Sequence, residues 1–409
     1  MASLALLARQ LNMFDTARPS SQTVPCCHGV RGFGERMPMR IQLAHPAELD
    51  AAIAICDDEI RLIDAAIMAD RIPRPSALSE AQPEFVVKAE RVAQMEDDLR
   101  PFRYPPANLM AARWSPSHFV KRLGARLNQW RCSGVAQKIA EMAPEHEQGD
   151  CPWPKISVVT VSFNQAPYLE ASIRSVLDQN YPNLEYVVVD GGSTDGSVEI
   201  IERYRDRCHT VIIEPDRGQS DALNKGFAVA TGEIMNWLCS DDLLEPGSLS
   251  EIGRAYARHG VDIIAGGCAR IGETRAEEHC HHHSRLPLGE TVRLSPLDIL
   301  HFMRSWQTGN YFFQPEVFFS RRVWQASGAY IKEHLFYAMD YDLWLRMALA
   351  GATTLHIPVT IGCSRIHSAQ KTQPDRKYLH QIRQLMKEYK ALFESLRAGG
   401  PVPHPGERG

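Results

Sequence analysis

The stretch NWLCSDD, Asn236 to Asp242, carries an apolar run onto two adjacent carboxylates, Asp241 and Asp242. Like charges that close repel, and each raises the other's pKa unless a cation or hydrogen-bond donors compensate. Two readings are open: a solvated turn ahead of LLEPGS, or an acidic pair that works beside a cation. Other polar clusters follow short apolar runs in the same way, VSFNQ up to Gln165 and VDGGSTDGS from Val189 to Ser197. In the second cluster Asp190 precedes Gly191 and Gly192, which either admit a ligand close to the backbone or only make a tight turn, and Asp195 suits the first turn of a helix. AMDYDLWLRMA places Asp340 and Asp342 at a helix start, where they favour the dipole or serve as acid–base groups. HCHHH, His279 to His283, is either a chelating tract or an exposed loop, and its crowded spacing does not suit a tetrahedral structural site.

These clusters need a scaffold. KISVVTVSF, LEYVVVD, HTVIIEP and EIMNWLC are short β-branched or apolar runs suited to strands buried on both faces. Between and after them lie the helical patterns YLEASIRSVLDQ, opened by Pro167, then DGSVEIIERYRD, SDALNKGFAVA and PGSLSEIGRAYARHG. Strands alternating with helices predict an α/β fold, a Rossmann-like and mostly parallel sheet with helices on both faces. Ligands bind such sheets at the carboxyl ends of the strands, so the three strand-end clusters would share one edge.

Residues 1–46 are rich in Pro, Gly, Ser and Arg and read as a flexible arm. Residues 47–150 read as a helical region. It holds the amphipathic ELDAAIAICDDEIRLIDAAIMAD and a basic helix, SPSHFVKRLGARLNQWR, capped by Ser115 with Pro116 just inside its start. The basic helix either packs on its own protein or meets a partner or an anionic membrane. After a break at EHEQGDCPWP the α/β domain spans 151–372, and 373–409 form a C-terminal amphipathic helix and tail.

The chain has 409 residues, 44% hydrophobic and 23% charged, with a formal charge of −4. That is globular composition with apolar surface for a core, and the charge argues against a nucleic-acid binder. No apolar run approaches the roughly 18 residues needed to span a bilayer. MASLALLARQLNMF does not read as a secretory signal, and ten irregularly spaced cysteines read as reduced cytoplasmic thiols.

PKISVVTVSFNQAPYLEASIRSVLDQNYPNLEYVVVDGGSTDGS, DRGQSDALNKGFAVATGEIMNWLCSDDLLEPGS, QPEVFF and MDYDLWLR together resemble family 2 glycosyltransferases of the GT-A fold, over about residues 153 to 370. The resemblance implies an inverting transfer of sugar from a nucleotide-sugar donor, a UDP-sugar among the candidates, to an acceptor hydroxyl of a glycan or lipid-linked acceptor. It implies a Mn²⁺ or Mg²⁺ ion, because a departing nucleoside diphosphate needs charge compensation and hard cations take oxygen ligands. On this likeness Asp242 is the metal ligand, Asp241 touches the ribose or a metal-bound water, and His367 in RIHSAQKT completes the metal shell or touches the diphosphate, with Lys371 beside it. Asp340 is the expected base, with Asp342 two residues on as the fallback. Ser162, Phe163, Asp190, Asp216, Gln219, Asp221 and Lys225 are expected on the donor side, Lys225 either touching donor or balancing charge. Gln314 is expected to contact the acceptor.

Two positions depart from the family pattern: Met339 stands where a first acid is usual, and Gly191 where many relatives have a second Asp. Both support a rival reading, a glycosyltransferase-like binding or scaffold subunit without catalysis. A sugar nucleotidyltransferase is a further alternative, but VSFNQAPY lacks its Gly-rich, Arg-containing loop. The processive Gln-x-x-Arg-Trp signature is absent after Asp340. The expected setting is cytoplasmic, with peripheral contact at the inner face of the membrane as an option.

Overall fold

The computed structural model describes residues 39–43, 45–70, 153–272, 280–282, 286–303, 312–368, 370–371 and 377–400. The expected arm over 1–46 lies almost wholly outside these residues. So do the basic helix over 115–131, the first part of TGNYFFQPEVFF and the side chains of HCHHH, of which only the backbone over Cys280–His282 is described.

Strands β1 (Ile156–Ser162), β2 (Leu184–Asp190), β3 (Thr210–Ile213) and β4 (Ile234–Cys239) alternate with helices α2 (Ala166–Leu177), α3 (Ser197–Tyr204) and α4 (Gln219–Val229). The short β5 (Leu243–Leu244) and α5 (Ser248–His259) follow. Then come β6 (Ile263–Ile271), β7 (Cys280–His282), β8 (Thr291–Arg293), α6 (Pro296–Leu300), β9 (Val317–Ser320) and α7 (Arg321–Ala326). The last elements are α8 (Met339–Leu349), β10 (Thr353–Arg365) and α9 (Lys377–Arg397), while α1 (Pro46–Asp70) precedes all of them.

The strands form one sheet in the order β3-β2-β1-β4-β9-β6-β10-β5. The expected parallel ladder holds from β3 through β4. Beyond β4 the sheet becomes mixed, because β9 enters antiparallel to both β4 and β6. LLEPGS is not simply a turn: Leu243 and Leu244 pair antiparallel with Cys363 and Gly362 of β10.

Alternating residues of each strand feed two cores, as the period of two in a strand requires. Val159, Val161, Val187, Val189, Met235 and Trp237 face α1, α4, α8 and α9. Ile156, Val158, Tyr186, Val188, Ile234 and Leu238 face α2, α3 and α5. Helix α4 lies so close to β1 that a Cβ on Gly226 would meet Val159 Cγ1 at 2.4 Å, so only glycine fits there. Trp237 of β4 and Trp344 of α8 stack with centroids 5.5 Å apart, which ties the strand leading to Asp241 to the helix carrying Asp340.

Helices α1 and α9 run antiparallel along one flank. Leu379, Ile382, Leu385, Met386, Tyr389 and Phe393 give α9 its buried stripe. At its edge Asp50 meets Arg397 at 2.9 Å, Asp57 meets Lys390 at 2.7 Å, and Asp64 meets Arg383. Each step is seven residues, in opposite directions along the two helices.

Candidate active site

The carboxyl end of β4 delivers Asp241 and Asp242 to the edge where the turns after β1 and β2 also lie. Asp242 is only 7% exposed. Its Oδ1 accepts the main-chain N–H of Arg365 at 2.8 Å, and among the described residues its Oδ2 has no hydrogen-bond partner. Burial, and then the neighbouring Asp241, push its pKa well above the ordinary carboxylate value. Cys239 Sγ and one carboxylate oxygen each of Asp241 and Asp242 lie within 4.8 Å of one another. A buried carboxylate with an open oxygen and a repelling neighbour suits a hard divalent cation, so these residues fit the ion that the sequence implies.

His367 lies against the other carboxylate: its Nε2 is 3.0 Å from Asp241 Oδ2, while its buried Nδ1 has no partner among the described residues. Asp340 lies half-buried in the first turn of α8, with Oδ1 accepting the Tyr341 N–H at 2.7 Å. Burial raises its pKa, and the Lys371 charge draws it back. Lys371 also acts on Cys239, the thiol grouped with the acidic pair, so one ammonium acts on both Asp340 and the strand end.

Gln219 and Gln314 meet at that thiol. Gln219 Nε2 donates to Cys239 Sγ at 3.4 Å, and the thiol faces Gln314 Oε1 at 3.6 Å. Gln314 Nε2 donates in turn to the Trp237 carbonyl.

The glycine-rich turn is held from below. Asp190 Oδ1 accepts the N–H groups of Gly192 and Ser193 at 3.0 and 2.7 Å, and its Oδ2 accepts the Ser193 hydroxyl at 2.8 Å. Asp195 accepts from Ala166 at the start of α2 and from Ser197 at the start of α3, fastening two loops together. Ser162 Oγ is buried without a partner among the described residues. Phe163 beside it is 59% exposed.

Residues 157–323 match the sequence profile of Glycosyl transferase family 2. The domain belongs to that family. A glycosyltransferase of Nostoc sp. (strain PCC 7120), itself uncharacterized, is 35% identical over 133 residues, 30% of this chain and 41% of that protein. One from Rickettsia typhi, likewise uncharacterized, is 28% identical over 244 residues, 59% of this chain and 70% of that protein. Staphylococcus aureus TarS, solved in complex with UDP-GlcNAc, aligns with a TM-score of 0.47 at 18% identity, covering 60% of this chain and 71% of that one. The match thus spans about two fifths of the first of these relatives. The family profile ends before α8, so Asp340, His367 and Lys371 lie beyond it.

Within this family 2 domain the remaining expected donor-side residues are spread along the start of α4. Asp216 Oδ1 accepts the Gly218 N–H at 2.7 Å. Its carboxylate also fills the space beside Gly191, where a Cβ would stand 2.5 Å from Asp216 Oδ2 and 3.2 Å from Phe163 Cδ2. A side chain at 191 would need the Asp216 carboxylate to move. Asp221 folds back onto the segment before α4, taking the Arg217 N–H at 3.1 Å and the Arg217 guanidinium at 2.8 Å. Lys225 points to Glu214 at 2.8 Å and to the Pro215 carbonyl at 3.0 Å, a charge-balancing arrangement.

Asp342 faces away from this cluster. It is fully buried against Arg346 at 2.7 Å, Lys332 at 2.9 Å and the Tyr389 hydroxyl at 2.8 Å. Met339 Sδ lies 3.1 Å from Ser220 Oγ and packs into the core. Two contributors escaped the sequence reading. Cys239 could have been found, since it lies two residues before Asp241 at the same strand end. Arg365 carries no local signal: its Nε donates to the Asp241 carbonyl at 2.9 Å only because β5 pairs with β10.

Proposed function

We propose that the protein is a metal-dependent, inverting glycosyltransferase that moves a sugar from a nucleotide-sugar donor to an acceptor hydroxyl in glycan or polysaccharide biosynthesis. Residues 151–372 would be the catalytic unit. The observation that supports it best is the buried Asp242 carboxylate grouped with Asp241 and Cys239 at the strand-end edge of a family 2 domain, with Lys371 acting on both that thiol and Asp340.

When bound, Mn²⁺ or Mg²⁺ supplies positive charge against the departing diphosphate. Asp242 would hold it, and Asp241, oriented by His367, would contact the ribose or a water on the ion. The exposed ring of Phe163 offers a face on which a nucleobase can stack, with Asp216 and the Ser162 hydroxyl as polar contacts beside it. Asp190 acts by holding the turn over the donor. Asp340 takes the proton of the acceptor hydroxyl as that oxygen bonds to the anomeric carbon. The bond from that carbon to the diphosphate oxygen breaks on the opposite face, which inverts the configuration. Burial brings the Asp340 carboxyl toward the range in which a general base works. Gln314, anchored on Trp237, is the proposed acceptor-side contact.

The donor would be a soluble nucleotide sugar and the acceptor a glycan or lipid-linked glycan, reached in the cytoplasm or at the inner face of the membrane. Among the described residues no helix is long and apolar enough to cross a membrane. A non-catalytic binding subunit is the second reading, favoured by Met339 where an acid is usual. Incubation with UDP-GlcNAc and with GDP-mannose, with and without Mn²⁺, separates the two. Mn²⁺-dependent release of nucleotide supports the enzyme, and a folded protein that neither binds nor turns over any nucleotide sugar sinks it.

A further inference from the structure

Lys371 stands where the two halves of the site meet. Its ammonium donates to Gln219 Oε1 at 2.6 Å and lies 4.2 Å from the centroid of the Phe336 ring. Gln219 opens α4 on the donor side. Phe336 belongs to the segment leading into α8, four residues before Asp340. The lysine is therefore fixed at both ends, although it lies outside regular structure.

An ammonium has donors only, so it dictates how its neighbours point. Gln219 must present its oxygen to Lys371 and so turns its NH₂ to Cys239. The thiol accepts that bond and directs its own hydrogen to Gln314 Oε1, and Gln314 presents its NH₂ to the Trp237 carbonyl. One charge thus orients a polar chain that crosses the site from donor to acceptor side.

The same charge acts on Asp340: Ser220, next to Gln219, lies 3.1 Å from the sulfur of Met339, next to Asp340, and Phe336 under the ammonium leads into the same helix. The Tyr341 N–H and then the Lys371 charge oppose the effect of burial on that carboxyl. The titratable groups facing Lys371 are Cys239 and Asp340. Burial pulls the lysine itself down to about 8.

We propose that Lys371 is a positioning residue: held by Gln219 and Phe336, its ammonium supplies the positive charge that Asp340 works against and sets the direction of the Gln219–Cys239–Gln314 chain. This rests on Asp340 being the base.

The test uses the full chain labelled with carboxyl-¹³C aspartate, and Asp340→Asn assigns the signal. In Lys371→Met the Asp340 midpoint moves up by about one pH unit, the lower end of what loss of a nearby opposite charge produces. In Lys371→Arg it stays near wild type. Near-ultraviolet circular dichroism confirms that both variants are folded. Turnover of UDP-GlcNAc or GDP-mannose with Mn²⁺ is followed against pH in parallel, and the acidic limb moves up with the midpoint in Lys371→Met. A wild-type midpoint in folded Lys371→Met, with Asp340→Asn inactive, overturns the role of Lys371 alone. Full turnover in Asp340→Asn overturns the base and the inference that rests on it.

Discussion

Arg365 donates its main-chain N–H to Asp242 Oδ1 at 2.8 Å, across 123 residues of sequence. Its guanidinium reaches back to the carbonyl of Asp241 at 2.9 Å and lies over the Tyr168 ring. The orientation of the acidic pair is thereby set from β10, not from the strand that carries it.

Mn²⁺ binding follows from that dependence. Asp242→Asn removes the buried negative charge and abolishes binding. Arg365→Met keeps the main-chain donor but loses the guanidinium, and weakens binding by roughly 10–100-fold, as loss of an outer partner does. Electron paramagnetic resonance of free Mn²⁺ measures both. Wild-type affinity in the two variants contradicts the assignment.

Asp340→Asn retains donor affinity and loses transfer by roughly 10²–10⁴-fold, the usual contribution of a general base. Calorimetry with the nucleotide sugar and single-turnover assays separate binding from chemistry.

Asp342→Asn acts on stability. It leaves Arg346 and Lys332 buried without their carboxylate, which costs about 3–5 kcal/mol. A lower urea midpoint is expected, and an unchanged one would show that the cluster is not structural.

Acid stability depends on two buried carboxylates. Burial raises the pKa of Glu185, but hydrogen bonds from Lys155, Ser157 and Thr231 outweigh it and hold the group at about 2 against an ordinary 4.5. Burial also opposes ionisation of Asp342, yet Arg346 and Lys332 hold it at about 2 against 3.8. Both pKa values are lower in the folded state, so their stabilisation is complete above pH 4.5 and is lost as pH falls toward about 2. Urea titrations in that window should show Glu185→Gln losing part of the pH dependence.

Gly191→Ala pushes a Cβ into the Asp216 carboxylate and shifts it. Weaker nucleotide-sugar binding with intact Mn²⁺ binding is the expected result. Unchanged affinity would remove Asp216 from the donor pocket.

The alternation from β1 to α5 was legible because strands buried on both faces read as continuous apolar runs and each helix carries its own period. The insertion of β9 was not, because VFFS is four residues long and its neighbours β4 and β6 are remote in sequence. Asp340 and Asp342 look alike in sequence. They lie about 200° apart around the helix, so one faces the site and the other the Arg346–Tyr389 interior. Asp190 is expected on the donor side from its place at a strand end, while the hydrogen bonds by which it holds Gly192 and Ser193 are disclosed only by the turn's actual conformation.

The seam between α1 and α9 has a consequence for biosynthesis. Asp64 waits 319 residues for Arg383, and Asp50 waits 347 for Arg397. At roughly 5–20 residues per second a ribosome needs roughly a quarter of a minute to a minute to cover that interval. Through it the stripe of Leu49, Ala52, Cys56 and Ile63 has none of its α9 cover. Helix α1 is thus made long before its cover, and the nascent chain offers chaperones a sticky surface until α9 emerges.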